Sequence, residues 1–199
     1  MFAHLPGMKI VVPSTPYDAK GLMISAIRDD NPVLYFFHKG LMGLGWMTPN
    51  RRATDHVPEE PYTVPIGKAD IKRPGRDLTI VTVSLMVHRA LDAAEDLAAD
   101  GIDAEVLDLR SIVPLDRQAI IESVMRTRRL LVVDEDYRSF GMSAEVMATV
   151  VEGAFDFLDA PPTRLAYPDV PIPYSRPLEQ FCLPGREPIA RAARELLGR

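Results

Sequence analysis

The sequence predicts an α/β fold, a mainly parallel twisted sheet flanked by helices. Three observations carry this. Short β-branched runs alternate with stretches whose apolar residues recur at helical spacing. Connections between such strands and helices are right-handed crossovers that leave neighbouring strands parallel. Turn formers punctuate nearly every switch of period.

Element by element, MKIVVP (Met8 to Pro13) reads as a buried strand. Thr15-Pro16 supplies an N-cap followed by proline at the first helical position. The helix runs through Ala19 to Ile27 and is stopped by Asp29-Asp30-Asn31-Pro32. VLYFF (Val33 to Phe37) returns as a strand, closing a β-α-β unit. Regularity then lapses from Lys39 to Gly75, where Gly40, Gly43, Gly45, Gly67, Pro49, Pro58, Pro61, Pro65 and the Arg51-Arg52 pair mark a long connection. Such a length points to a linker or a functional loop. Beyond Gly75 the expected strands are Leu78 to Ser84, Ala104 to Leu109, Arg129 to Glu135 and Thr163 to Tyr167. Helices are expected at His88 to Ala99, Leu115 to Arg126, Ser143 to Phe157 and Pro188 to Leu197. Eight of the 18 prolines fall between 161 and 188, so that stretch is expected to be extended chain.

Composition narrows the function. The 199 residues carry 47% hydrophobic and 26% charged side chains, a globular composition. Net charge is −5, with 7 basic and 7 acidic groups in residues 1–70 and 16 against 21 in 71–199. That balance argues against a nucleic-acid role, which needs a basic surplus or stripe. No apolar run approaches the roughly 18 residues of a membrane span. The lone Cys182 excludes an internal disulfide and suits a reducing compartment, and with Pro6-Gly7 near the start no export signal is expected. The expectation is a cytoplasmic protein.

Ligands of open α/β sheets favour the carboxyl ends of the strands, here Ser84, Arg110-Ser111, Asp134-Glu135-Asp136 and Asp169. The three adjacent carboxylates suit a divalent cation or a shared proton. A solvated strand-to-loop junction explains them too and is preferred, because no second acidic cluster accompanies them. Gly141-Met142-Ser143 opens a helix and could receive an anion, but an N-cap by Ser143 with Glu145 in the first turn accounts for it. His4, His38, His56 and His88 form no HxH or HExxH pair, so zinc has little support. His88 and His38 lie near strand ends and are read first as capping or packing residues. GxSxG, GxxxxGKS/T and GxGxxG are all missing from the sequence, and Cys182 is read as structural.

Four long peptides go further. FAHLPGMKIVVPSTPYDAKGLMISAIRDDNPV, VPEEPYTVPIGKAD, MVHRALDAAEDLAADGIDAEVLDLRSIVPLD and FDFLDAPPTRLAYPDVPIPYSRPLE occur in order. Together they resemble the beta subunit of the thiamine-diphosphate-dependent decarboxylating component of 2-oxo acid dehydrogenase complexes. DEDYRSFGMSAE is closer to the pyruvate and acetoin branches than to the branched-chain one. The resemblance runs from Phe2 to the end, apart from Leu41 to Asp55.

It implies the end of a truncated pyrimidine-binding domain (1–40), a linker (41–75) and a transketolase C-terminal-like domain (76–199). It further implies oxidative decarboxylation of pyruvate, acetoin or a branched-chain 2-oxo acid with acyl transfer to lipoyl. The implied partners are an alpha subunit, a second beta subunit and the lipoyl acyltransferase core. The family's cofactor-protonating glutamate and substrate-facing histidine are expected upstream of Met1, so no catalytic or cofactor-binding residue carries over, and the isolated chain is expected to be inactive. Backbone oxygens of Ala26, Ile27, Asp29 and Asn31 are implied as half of a potassium site. Phe37 stands where an acidic residue is usual, and GLGWMTPNRRATD departs from the usual linker. The competing readings are a stand-alone, non-catalytic scaffold domain derived from such a subunit, and an independent metal enzyme built on the acidic run.

Overall fold

The computed structural model describes residues 2–42 and 54–198. The Gly43, Gly45, Pro49 and Arg51-Arg52 portion of the expected linker lies outside them. The chain forms two compact units. One comprises Met1–Asp70, Val83–His88 and Asp108–Asp116; the other comprises Ile71–Thr82, Arg89–Leu107 and Arg117–Arg199.

The first unit is built on the expected β-α-β element: β1 (Lys9–Val11), α1 (Pro16–Ile27) and β2 (Val33–Tyr35). β1 and β2 are parallel, pairing Lys9 with Val33, Ile10 with Leu34 and Val11 with Tyr35. Thr15 caps α1 as expected: its hydroxyl oxygen accepts from the Asp18 N–H at 3.1 Å, and Pro16 occupies the first turn. A third strand, β6 (Ser111–Val113), runs antiparallel to β1. The core is Val11, Leu22 and Val64, with Val33, Tyr35, Tyr62 and Ile66 packed around it. Gly21 lets the chain at Val64 lie close against α1, since a Cβ there would sit 2.4 Å from a Val64 methyl.

The second unit holds a five-stranded sheet in the order β3-β5-β4-β7-β8. Its strands are β3 (Asp70–Arg73), β4 (Leu78–Thr82), β5 (Ala104–Asp108), β7 (Leu130–Tyr137) and β8 (Thr163–Tyr167). β4 is parallel to β7 and β7 to β8. All five positions of β4 and of β5 are buried, the pattern of strands covered on both faces. The helices are α2 (Leu85–Ala99, whose first turn belongs to the first unit), α3 (Arg117–Thr127), α4 (Met142–Ala154), α5 (Arg176–Cys182) and α6 (Arg186–Leu196). α3 packs on β4, α4 on β7, and α6 on β7 and β8. Arg186 and Arg194 of α6 fasten it to Asp96 of α2 and to Asp100 just beyond that helix's end. Each fully buried leucine of this core, such as Leu78, Leu107 and Leu130, contributes about 2 kcal/mol.

Four expectations are corrected. The proline-rich stretch is not wholly extended: Ser175 leads into α5, with Pro177 at a first-turn position where no N–H bond is lost. α2 begins at Leu85 rather than His88, and β7 continues through Tyr137 rather than ending at Glu135. α4 is capped by Gly141, not Ser143; the Ser143 N–H is met from outside the helix by the Asp134 carboxylate at 3.3 Å.

Candidate functional site

At the carboxyl ends of β1 and β2, within the first unit, lies a cavity of about 310 Å³. Pro13, Ser14, Thr15, Pro16, Phe37 and His38 line it. Its wall is mostly apolar, and its polar groups are engaged. The His38 Nδ1 accepts from the Gly40 N–H at 3.1 Å, and Thr15 is occupied with its helix cap.

Behind this wall runs a buried polar clasp. Asp108, fully buried, accepts from the Ser14 hydroxyl and from the Arg110 N–H at 3.0 Å. The Ser14 carbonyl lies 2.7 Å from His88 Nε2. Arg110 sits at φ +54 with its guanidinium only 12% exposed. It donates to Asp18 at 3.1 Å and to the Lys68 and Ala69 carbonyls at 3.1 and 3.2 Å, with Asp70 at 3.8 Å. Asp18 is 1% exposed and also accepts from the Thr15 hydroxyl at 2.9 Å. Tyr35 donates to the Ala19 carbonyl at 2.6 Å; burial, and then Asp18, push its hydroxyl pKa up. The clasp ties the start of α1 to the segments at 67–70 and 108–111, so it positions the cavity wall.

The sequence-selected residues divide between the units. Ser84 and Arg110 belong to the first; Ser84 is buried at φ +53, and its hydroxyl has no hydrogen-bond partner among the described residues. Asp134 and Asp169 belong to the second. The acidic run does not form the solvated junction preferred from sequence. Asp134 is buried and accepts from the Asp136 and Ser143 N–H groups, while Asp136 is exposed. Burial raises the Asp134 pKa. Asp169 accepts twice from Ser139, which lowers its pKa. Among the described residues, no group of three or more His, Cys, Asp or Glu side chains is placed to hold a metal ion.

His4 and His56 are exposed, His88 is buried in the clasp, and His38 alone lines the cavity. Cys182 is half-buried; burial, and then the neighbouring Cys182 thiol, raise the Tyr167 hydroxyl pKa to about 12. Ala26, Ile27, Asp29 and Asn31 share the carboxyl end of α1. There the Asp29 carboxylate meets Lys9 Nζ at 2.5 Å and accepts from Asn31, and its pKa falls to about 2. The Ala26 carbonyl accepts from the Asp29 N–H at 3.4 Å. Sequence reasoning missed Asp18 and Asp108 as a pair of buried anchors. Its available signal was a carboxylate inside the apolar run VLDL, which needs a buried partner.

The β-α-β fragment with its strand-end cavity, and the five-stranded unit beside it in sequence, define a transketolase-like α/β protein. The chain belongs to the transketolase C-terminal domain family, whose profile matches residues 67–189; that of the transketolase pyrimidine-binding domain matches residues 1–43. It is 47% identical to the 2-oxoisovalerate dehydrogenase subunit beta of Bacillus subtilis, over 98% of this chain and 58% of that one. It is 46% identical to the acetoin:2,6-dichlorophenolindophenol oxidoreductase subunit beta of Cupriavidus necator (99% and 56%). The same identity, 46%, is found with the pyruvate dehydrogenase E1 component subunit beta of Bacillus subtilis (99% and 58%). The chain thus spans little more than half the length of these relatives. Among solved structures, a split gene transketolase described as an inactive beta4 tetramer shares the fold, with TM-score 0.76 at 23% identity over 99% of this chain and 59% of that one.

The family implies thiamine diphosphate, and the residues lining this cavity do not by themselves fit its diphosphate. A diphosphate needs cations or several free donors. The cavity instead offers proline, phenylalanine and hydroxyls already engaged.

Proposed function

We propose that this chain acts as part of the beta subunit of a 2-oxo acid dehydrogenase. The reaction is oxidative decarboxylation of pyruvate, acetoin or a branched-chain 2-oxo acid with acyl transfer to lipoyl. The observation that carries this is the run of 46–47% identity across nearly the whole chain to three beta subunits, with both domain profiles in order. The three identities do not separate the branches; DEDYRSFGMSAE favours the pyruvate and acetoin side.

The role assigned to these residues is assembly. An alpha subunit, a second beta subunit and the lipoyl acyltransferase core are the partners, and thiamine diphosphate is held in the assembled enzyme by groups outside this chain. The acidic surplus of residues 71–199 suits a basic docking partner. The carboxyl end of α1, where carbonyl oxygens concentrate, contributes oxygens of Ala26, Ile27, Asp29 and Asn31 to a potassium cage completed elsewhere. The working compartment is the cytoplasm.

Capture of the chain by the alpha subunit of a pyruvate or acetoin dehydrogenase tests this reading, together with salt-sensitive capture by the binding domain of an acyltransferase core. Capture by both supports it. Capture by neither, from a folded chain, rejects it and favours a stand-alone scaffold.

A further inference from the structure

We propose that Lys9 sets the charge of the cation that the carboxyl end of α1 can take, closing that end to divalent ions. The proposal rests on the potassium reading for its occupant and adds the residue that decides between one charge and two.

A helix ends with carbonyl oxygens that have no N–H partner within it. At the end of α1 the Ala26 carbonyl is met by the Arg28 N–H and, in a long contact of 3.4 Å, by the Asp29 N–H. Among the described residues nothing donates to the carbonyl oxygens of Ile27, Asp29 and Asn31. This end therefore offers neutral backbone oxygens. They suit potassium, whose hydration shell carbonyl dipoles can replace.

The charged donor within reach, the Asp29 carboxylate, is withheld. Its Oδ2 meets Lys9 Nζ at 2.5 Å, and its Oδ1 accepts from the Asn31 N–H at 3.0 Å and the Asn31 side-chain amide at 3.1 Å. Lys9 grips the other end of the same turn as well. Its backbone N–H donates to the Pro32 carbonyl at 2.9 Å, where β1 and β2 begin side by side. The Lys9 side chain is 30% exposed and that of Asp29 13%, so salt screens this pair less than a surface pair.

Charge then discriminates. Divalent cations hold their water tightly and are bound through carboxylates. With Asp29 neutralised, carbonyl dipoles alone face the ion, and the fixed ammonium repels a divalent cation twice as strongly as a monovalent one. Without that ammonium, Asp29 and the adjacent, exposed Asp30 make the turn an anionic donor set at the negative end of a helix dipole. Calcium is the ion such a set favours, because it tolerates irregular geometry.

The test is amide NMR of the full chain, following residues 27–31 during titration with calcium chloride and, separately, potassium chloride, at an ionic strength held constant with choline chloride. Wild type is compared with Lys9→Met and Lys9→Arg. Circular dichroism checks each fold, and Lys9→Gln replaces Lys9→Met if that variant does not fold. The expected result is saturable calcium shifts in Lys9→Met, with a dissociation constant at least about tenfold below that of wild type. Lys9→Arg, which keeps the charge, follows wild type, and adding Asp29→Asn to Lys9→Met abolishes the gain. Equal calcium binding by wild type and Lys9→Met, or a gain that survives Asp29→Asn, would overturn the proposal. A calcium gain in Lys9→Met with no response to potassium in either protein upholds the role of Lys9 and sinks the potassium reading. A potassium response without the calcium gain does the reverse.

Discussion

Replacing Asp18 with alanine removes the carboxylate around which the clasp of the first unit is organised. Asp18 is 1% exposed and accepts from Arg110 at 3.1 Å and from the Thr15 hydroxyl at 2.9 Å. Removing one partner of a buried ion pair costs about 3–5 kcal/mol, because the other charge stays desolvated. Here Arg110 keeps the Lys68 and Ala69 carbonyls and the more distant, half-exposed Asp70. Thr15 also keeps its bond to the backbone N–H of residue 18. The lower end applies, about 3 kcal/mol. In urea, with a slope of roughly 2–3 kcal/mol/M, the midpoint of the first unit's transition falls by about 1 M or slightly more. Adding Arg110→Met removes the stranded charge, so the double variant is more stable than the sum of the singles predicts, by about 1–2 kcal/mol. Far-UV circular dichroism of the four proteins completes the cycle. A single-variant loss below about 1 kcal/mol, or strict additivity, would refute the view that this pair is the anchor.

Three further outcomes are expected. Gly75→Ala places a Cβ 2.2 Å from the Glu105 backbone nitrogen and 2.4 Å from the Ala104 carbonyl carbon; the second unit is destabilised by about 3 kcal/mol in urea, and a neutral effect would contradict this packing. The Asp29 pKa of about 2 lies below its ordinary 3.8, so the stabilisation it brings is complete above that ordinary value and is lost as pH falls through about 2. Lys9→Met therefore lowers the melting temperature at pH 5 but not at pH 2, and an equal deficit at both refutes the linkage. The Asp134 pKa is shifted the other way by burial, so the folded state holds its proton longer and stability falls as pH rises above the ordinary carboxylate range. Asp134→Asn flattens that decline in melts from pH 4 to 6; an unchanged slope would remove Asp134 as its source.

Much of the fold is legible in the sequence because its signals are local. Thr15-Pro16 announces α1 by cap chemistry alone, and the apolar runs at Leu78–Thr82 and Ala104–Asp108 declare buried strands. What escapes is decided by distant partners. The three residues Ser111–Val113 form a strand only because β1, a hundred positions earlier, lies alongside. Ser143 has the composition of an N-cap, yet its N–H is taken by Asp134, nine residues upstream on another element. Proline density at 161–188 argues for extended chain, but Pro177 falls at the one part of a helix that tolerates it. The site divides in the same way. His38 could be singled out from its place after an aromatic strand. The Asp18–Arg110–Asp108 clasp joins groups more than ninety residues apart and has no local signature beyond charges embedded in apolar runs.

In the proposed role these residues supply a platform and mating surfaces, whereas the groups that hold and activate thiamine diphosphate come from elsewhere. The direct test is calorimetric titration of the folded chain with thiamine diphosphate and magnesium, followed by a 2-oxo acid decarboxylation assay of the same sample. The account predicts no saturable binding and no carbon dioxide release until the alpha subunit and the remainder of a beta subunit are added. Saturable binding with steady turnover by the chain alone would contradict it.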